Sequence, residues 1–541
     1  MKTQSIGSPF LGINNRLPDF ALHVPKVGDW LRSGVNVEVT NAGTIVRRKD
    51  ATLVQAMTGA HSLYMTTDTA GYLVRDSVLY AITLPTYSEA LVKVLASNAR
   101  LSWVETMGGL YASNGTDIGR VSGETWTAAF PTPAKPELNG AIGGGLEPGQ
   151  YQVAVSYVRL SGSDLLEEGG VSEALAVTLA TQGGIRVNLP AATAGATHVN
   201  IYLTQANGEV GYLVSFVVAG TTIYDCISLP TGREAPVRFD SKGAKQIEAP
   251  LPAGELFSSM GRLCSIVGNS IYVGVPFRPG YYLPIEGVIH FTAPVTVAIE
   301  NQNGTYLCAD KTYWLPGDLL ASQERMVKAL PYGAVSGTAF QHPDKPVVGW
   351  FGENGIVLAD PAGQAVALTE EAVQLTAPAS GVSTVLDGDY TRVVSCGWCV
   401  NLDNKAATTV SDWDFTSTSG DYGTKSDGIY RLEGSGKVLW SIGLGKQNFG
   451  AEQLKYLPAV YAGMASESPM DITVGYADDR GEAQAYTFET RSYGTELQMQ
   501  RFDTAKGMRS NWFGLTLSNA DGSDFTLASI SFAAAASTRR I

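Results

Sequence analysis

The amino-acid sequence predicts an all-β chain: a β-propeller, a β-sandwich inserted into it, and additional C-terminal β-strands. Three observations predict this. A Gly or Asn-Gly turn followed by an aromatic or β-branched strand recurs at 109–115, 268–273, 303–307, 354–358 and 427–432. A unit repeated at irregular intervals is the pattern of propeller blades separated by insertions. The composition, with 60 glycines and 24 tyrosines against 16% charged residues, describes a turn-rich β protein. Finally, the proline-rich stretch Phe130-Pro131-Thr132-Pro133-Ala134-Lys135-Pro136 reads as a stiff extended linker. Beyond it lie six or seven short strands at roughly ten-residue spacing, the pattern of a sandwich.

Taken in order, residues 1–133 form the first part of the propeller. In Gly34-Val35-Asn36-Val37-Glu38-Val39-Thr40 the odd positions are all valine, a period-two alternation that predicts a half-buried strand. Asn41-Ala42-Gly43 turns it and Thr44-Ile45-Val46-Arg47-Arg48 returns, completing a hairpin. Strands at 61–66, 71–75, 77–82 and 101–105 continue as a meander. Residues 134–240 form the insertion, opened by the alternating run Gly149-Gln150-Tyr151-Gln152-Val153-Ala154-Val155-Ser156-Tyr157. Its run Val199-Asn200-Ile201-Tyr202-Leu203-Thr204, followed by Asn207-Gly208-Glu209 and Gly211-Tyr212-Leu213-Val214, resembles the later strands of a fibronectin type III module of the immunoglobulin-like class. Such modules act as spacers or binding surfaces. Residues 241–456 resume the propeller, and 457–541 add a C-terminal β region, either a last blade or a small sandwich. One or two helical turns are predicted at 369–374.

The net charge of −13 and pI near 5.0 argue against a surface that grips nucleic acid by neutralising phosphates. Arg47-Arg48-Lys49 and Arg539-Arg540 are the basic exceptions. Such runs are ordinarily solvated, and Arg47, Arg48, Arg539 and Arg540 are candidates for docking to an acidic neighbour. Five cysteines, an odd and sparse set in 541 residues, fit assembly in a reducing cytoplasm. Cys396-Gly-Trp-Cys399 has CxxC spacing without a second CxxC, so both thiols read as buried and structural.

The five histidines are too scattered for a zinc motif, and neither a GxxxxGK[ST] loop nor a GxSxG elbow occurs. Val121-Ser122-Gly123-Glu124-Thr125-Trp126 ends like the Asp-box turn of sialidases but lacks its aspartate, and reads as a turn with a packed tryptophan. Glu167-Glu168 and Asp478-Asp479 read as solvated turns, although a glycosidase pair cannot be recognised from spacing alone. The expectation is therefore a chain that is not an enzyme, without catalytic, cofactor-binding or metal-binding residues. No apolar run approaches the ~18 residues of a membrane span, and the first twenty residues lack the apolar core of a signal peptide.

Several segments carry a further resemblance. They are Gly12-Ile13-Asn14-Asn15, Val35-Asn36-Val37-Glu38, Arg47-Arg48-Lys49-Asp50 with His61-Ser62-Leu63-Tyr64, and Tyr111-Ala112-Ser113-Asn114-Gly115-Thr116-Asp117-Ile118-Gly119. The 396–432 region belongs with them, as do Lys506-Gly507-Met508-Arg509-Ser510-Asn511-Trp512-Phe513-Gly514 and Asp521-Gly522-Ser523-Asp524-Phe525-Thr526-Leu527. Together they resemble the tail-nozzle or packaged-DNA-stabilisation (tail hub) proteins of short-tailed bacteriophages. The resemblance implies a structural virion protein, assembled in the host cytoplasm as a homo-oligomer, a ring of six. The ring would sit below the portal and tail adaptor, beside tail fibre or needle proteins. It would retain packaged double-stranded DNA and conduct it at ejection without reading its sequence. An acidic lumen would let DNA slide without sticking. Within this reading, the turn-rich segment Val410–Lys425 is the candidate channel loop or subunit contact, through Trp413, Asp414, Phe415, Asp421 and Tyr422. The alternatives are a receptor- or glycan-binding tail fibre or tip protein and, further off, a propeller glycosidase.

Overall fold

Period-two alternation and closely spaced turn residues leave each segment one economical way to bury its apolar face, pairing with the segment before it. In the computed structural model, strand accordingly follows strand almost throughout. The structure describes residues 2–7, 9–24, 26–162, 164–229, 237–240, 247–321, 323–449, 453–477, 481–504 and 507–536. Among them the helical elements are two three-residue 3-10 turns, Asp19–Ala21 and Gln323–Arg325, and no helix is long and apolar enough to cross a membrane. The predicted helix at 369–374 is a single turn, closed by bonds from Ala372 and Val373 N–H to the Thr369 carbonyl.

The propeller is present. Seven antiparallel blades are found among the described residues, spanning 61–94, 102–127, 255–290, 297–330, 340–367, 383–409 and, for the seventh, 417–434 joined to Asp50–Ala56. The first strand of each blade is its inner one. The seventh blade lacks an outer strand of its own, and Asp50–Ala56 supplies it, pairing antiparallel from Gly428↔Ala56 to Gly434↔Asp50. The ring is therefore closed by hydrogen bonds between chain regions almost 380 residues apart, with Asp50–Ala56 as the outer strand of the seventh blade.

Neighbouring blades are stitched by hydroxyls. Inner-strand N–H groups that face the next blade have no ladder partner, and a serine of that blade accepts from them. Leu63 N–H donates to Ser417 Oγ (2.8 Å), Met65 N–H to Ser419 Oγ (2.8 Å), Leu101 N–H to Ser62 Oγ (2.8 Å) and Leu256 N–H to Ser102 Oγ (2.9 Å). The packed tryptophan expected at Trp126 lies flat on Gly119, where a Cβ would come within 2.5 Å of the indole.

Between the second and third blades the chain leaves the ring. Glu137–Leu146, Gly183–Asn188 and Ile223–Cys226 form one sheet, and a six-stranded sheet centred on Gly149–Ser161 and His198–Thr204 forms another. One apolar cluster, including Tyr151, Val155, Ile185, Val187 and Ile201, is shared by both. The proline-rich linker is anchored to this unit. Phe130 is fully buried, stands edge-on to Tyr157 at 6.4 Å and lies under the Arg159 guanidinium at 4.7 Å.

Residues 1–47 do not belong to the propeller, contrary to the sequence reading. Phe10–Ile13, His23–Val24 and Gly28–Leu31 form a three-stranded sheet of their own, and the other strands interleave with those of the C-terminal region. Lys2–Gly7, Val37–Val39 and Ile45–Arg47 join Lys455–Ser466, Gln498–Asp503, Arg509–Ser510 and Phe525–Ala536 in a seven-stranded sheet. Ser33–Val35, Ser441–Gln447, Asp471–Ala477, Ala483–Glu489 and Phe513–Ser518 form a second sheet, continuous with the sixth blade through the parallel Val35↔Thr409 bridge. Both ends of the chain thus fill one core, in which Phe10, Leu31, Val37, Leu457, Phe502, Phe513 and Phe532 are buried. The C-terminal region supplies most strands of both sheets, and the N-terminal strands extend them and fill part of the core between them.

The valine-alternating stretch is likewise not one strand. Asn36 adopts φ +56°, which splits it into Ser33–Val35 and Val37–Val39 in different sheets. The predicted hairpin of Val37–Val39 with Ile45–Arg47 forms. Its supposedly solvent-facing Glu38, however, is buried at 5% exposure.

Candidate functional site: the interface candidates and the propeller axis

The interface candidates drawn from sequence are mostly structural. Arg48 is buried at 2% exposure, donating to Asn36 Oδ1 and the Ser411 carbonyl (both 3.1 Å), with its guanidinium 5.3 Å above the Trp413 ring. Arg47 is buried against Asp524 and the Gly436 carbonyl (2.7 Å). Neither arginine is free to dock, because leaving these partners would strand a buried charge. Arg539 and Arg540 lie outside the described residues. Trp413 is half-buried and meets Phe415 edge-on at 5.0 Å. Phe415 packs with Leu386, Val394, Cys399 and Leu432 between the sixth and seventh blades. Tyr422 is buried between the seventh and first blades, with Leu63, Leu73 and Ile429. Asp414 and Asp421 are exposed and pair with Lys425 (2.8 Å) and Arg431 (4.0 Å).

The stretch expected as a channel loop is in fact the start of the seventh blade, with strands Ser417–Ser419 and Tyr422–Lys425. Its serines and threonines looked like a loop because their hydroxyls satisfy neighbouring blades rather than solvent. The CxxC reading changes in detail. Cys396 (φ +51°) and Gly397 (φ +81°) form the two-residue turn before Trp398–Asn401, and Cys399 is buried; all five thiols are free. Burial pushes the Cys399 thiol well above its usual range.

Glu38 belongs to a charged knot near this junction. It pairs with Arg392 Nε (2.8 Å) and accepts from the Tyr390 hydroxyl (2.7 Å), while Arg392 also pairs with Glu433. Glu38 comes from the terminal sandwich, Arg392 from the sixth blade and Glu433 from the seventh, so three units meet in one buried ion cluster.

The cavity along the propeller axis holds a pair of charges that sequence reading did not find. It has a volume of about 510 Å³ and is lined from six of the blades, among others by Ser62, Tyr64, Arg100, Trp103, Asn114, Glu255, Ser336, Gly337 and Thr418. A second cavity of about 680 Å³ meets it at Trp103, Leu256 and Ala298 and carries Glu105 and Glu300. Trp103 is fixed by stacking on Tyr64 (5.3 Å) and Tyr72 (5.8 Å) and by donating Nε1–H to the Ser62 carbonyl (2.9 Å). Arg100 reaches toward the fifth blade at Gly337 (φ +78°), where any Cβ would lie 2.6 Å from its Nη1. Most hydroxyls of the wall are spent on stitching blades. No hydrogen bond or contact ion pair within the described residues engages the Glu255 carboxyl or the Arg100 guanidinium, although each feels the other's charge.

Burial pushes the Glu255 carboxyl up to about 7, against an opposing pull from Arg100. Desolvation by the surrounding walls also holds Arg100 below its ordinary value, although Arg100 is exposed. The folded pKa of Glu255 exceeds its ordinary value of 4.5. The folded state therefore binds the extra proton, and stability falls as pH rises from about 4.5 to about 7, then levels off. The gap corresponds to about 3 kcal/mol. Glu255→Gln is expected to leave stability unchanged near pH 4.5 and to raise it by about 3 kcal/mol at pH 8, read from denaturation midpoints at the two pH values. Equal effects at both would refute the burial argument.

No family model matches the sequence, and no curated protein matches it. Solved structures do match at low similarity. A family 43 glycoside hydrolase, the arabinoxylan arabinofuranohydrolase of Bacillus subtilis, is 10% identical, with 72% of this chain and 96% of that chain covered at a TM-score of 0.18. An exo-β-1,3-galactanase of Phanerochaete chrysosporium is 11% identical, with 88% and 100% covered at 0.15. An extracellular domain assigned to a hybrid two component system of B. thetaiotaomicron is 9% identical, with 93% and 63% covered at 0.20. The expectation that the chain is not an enzyme does not stand, because two of these matches are glycoside hydrolases. At such TM-scores the likeness assigns no reaction to this chain, and the fold rests on its own topology.

Proposed function

We propose that this chain is a structural subunit of a short-tailed phage tail, of the nozzle or packaged-DNA-stabilisation kind, built to assemble with copies of itself around the path of the DNA. The observation that carries this reading is the convergence of the segments that resemble that family. Asn14 and Asn15, the 35–38 strand pair and Arg47-Arg48 lie hundreds of residues in sequence from the 396–432 region and Asp524. In the fold they meet where the terminal sandwich joins the propeller. Asn15 exchanges bonds with Gln374 (2.7 and 2.6 Å), Asn36 Nδ2 donates to Ser411 (2.7 Å), and Arg47 binds Asp524. This junction, which joins the N-terminal patches to the 396–432 region and to Asp524, supports the reading of a subunit built for assembly.

The test is electron microscopy and native mass measurement of the purified chain, alone and with portal and adaptor proteins. Rings are the expected result. A chain that stays monomeric with those partners would overturn the proposal.

A second reading, glycan capture by a tail fibre or tip protein, is favoured by one observation, the unengaged Glu255 and Arg100 in the axial cavity. Saturable binding on a glycan array is its test.

A further inference from the structure

We infer that the axial cavity binds a carboxylated sugar, the carboxylate held by Arg100 and ring hydroxyls by Glu255. This rests on the glycan-capture reading and deepens it to one site and one ligand class. Three features select the class. Arg100 offers a planar fork of donors that matches a carboxylate and is committed to no carboxylate within the described residues. Glu255 faces the same space, and a carboxyl group can donate to or accept from sugar hydroxyls. At about 510 Å³ the space is in the small-ligand range. It would be largely empty around a free amino acid and suits one or two sugar rings. A phosphate-bearing ligand fits worse, since a dianion beside Glu255 has a single arginine to balance it. Trp103, held rigid in its aromatic stack, presents part of its ring to the cavity. Glu105 and Glu300 line the adjoining cavity and repel an anion from it, which places the carboxylate at the Arg100 end.

The charge pair gives the site a pH dependence. Arg100 is the charged group that acts on Glu255 within the described residues, and Tyr64 is the other titratable group on this wall. Below neutrality Glu255 is protonated and donates to the sugar; as it ionises it repels the bound carboxylate.

The experiment is calorimetric titration of the full chain with 3′-sialyllactose, digalacturonate and neutral lactose, at pH 6 and pH 8.5. The expected result is saturable binding of at least one of the two acids at pH 6. Lactose should bind at least tenfold more weakly, and the acid's affinity should fall several-fold at pH 8.5. Arg100→Gln should lose tenfold or more while keeping the parental thermal unfolding profile. Glu255→Gln should bind at pH 6 and lose the pH dependence. Lactose binding as tightly as the acids would overturn the inference and leave the glycan reading standing. No binding of any of the three, with a blank glycan array, would overturn both.

Discussion

Arg392→Met is expected to destabilise the chain by about 3–5 kcal/mol, the cost of breaking a buried ion pair from one side. Arg392 is 5% exposed and answers both Glu38 and Glu433. Methionine fills much of the arginine stem's volume but leaves two carboxylates facing each other in a site with little water. The Tyr390 hydroxyl donates to one of them, which cannot replace a full positive charge. Arg48 adds some compensation, because its charge interacts with Glu38.

Two readouts separate this cause from simple loss of packing. In the Arg392→Met chain the stranded carboxylates acquire raised pKa values, so the penalty should be full at neutral pH and shrink as pH falls and they protonate. Adding Glu38→Gln should then recover part of the loss, a coupling that packing alone would not produce. A chain of several units does not unfold as one two-state body. The measurement is therefore hydrogen exchange of Val37–Val39 and Arg392–Ser395 across pH, beside the denaturation midpoint. An unchanged exchange rate in both strands would show that the cluster contributes little.

Removing residues 1–49 is expected to unfold the C-terminal sandwich while leaving most of the propeller intact. The deletion spares Asp50–Ala56, so the ring-closing strand remains. It takes away Phe10, Ile13, Leu31, Val37, Val39 and Ile45, each at most 4% exposed. At roughly 1.5–3 kcal/mol per buried side chain, the loss is on the order of 10 kcal/mol, comparable to the whole stability of an ordinary domain. Lys455–Ser466 and Phe525–Ala536 should lose their hydrogen-exchange protection, and the first five blades should keep theirs. Retained protection in those two strands would mean that the C-terminal half holds a core of its own, against the composite account.

How far these features were legible in sequence depended on their range. The turn and strand units at 109–115, 268–273, 303–307 and 354–358 fall in four of the blades, because a hairpin is decided by neighbouring residues. The strands at 149–161 and 198–204 were equally clear from alternation. Ser417–Ser419 was not, since a polar inner strand looks like a loop until the blade it serves is known. Glu38 was misplaced for the same reason. Alternation assigned it to solvent, and only Arg392, about 350 residues away, explains its burial. Glu255 and Arg100 gave no local signal at all, as one charged residue beside a strand start is common.

The sequence by itself determined an all-β chain, most of its blades and the two-sheet excursion between the second and third, because hydrophobic periodicity and turn chemistry act over a few residues. The tertiary structure alone decided that Asp50–Ala56 closes the ring, that the two chain ends share one core, and that Glu255 and Arg100 face each other's field on the axis. Those outcomes depend on burial and charge balance between segments hundreds of residues apart, where only the packed chain sets which groups lose water and which find a partner.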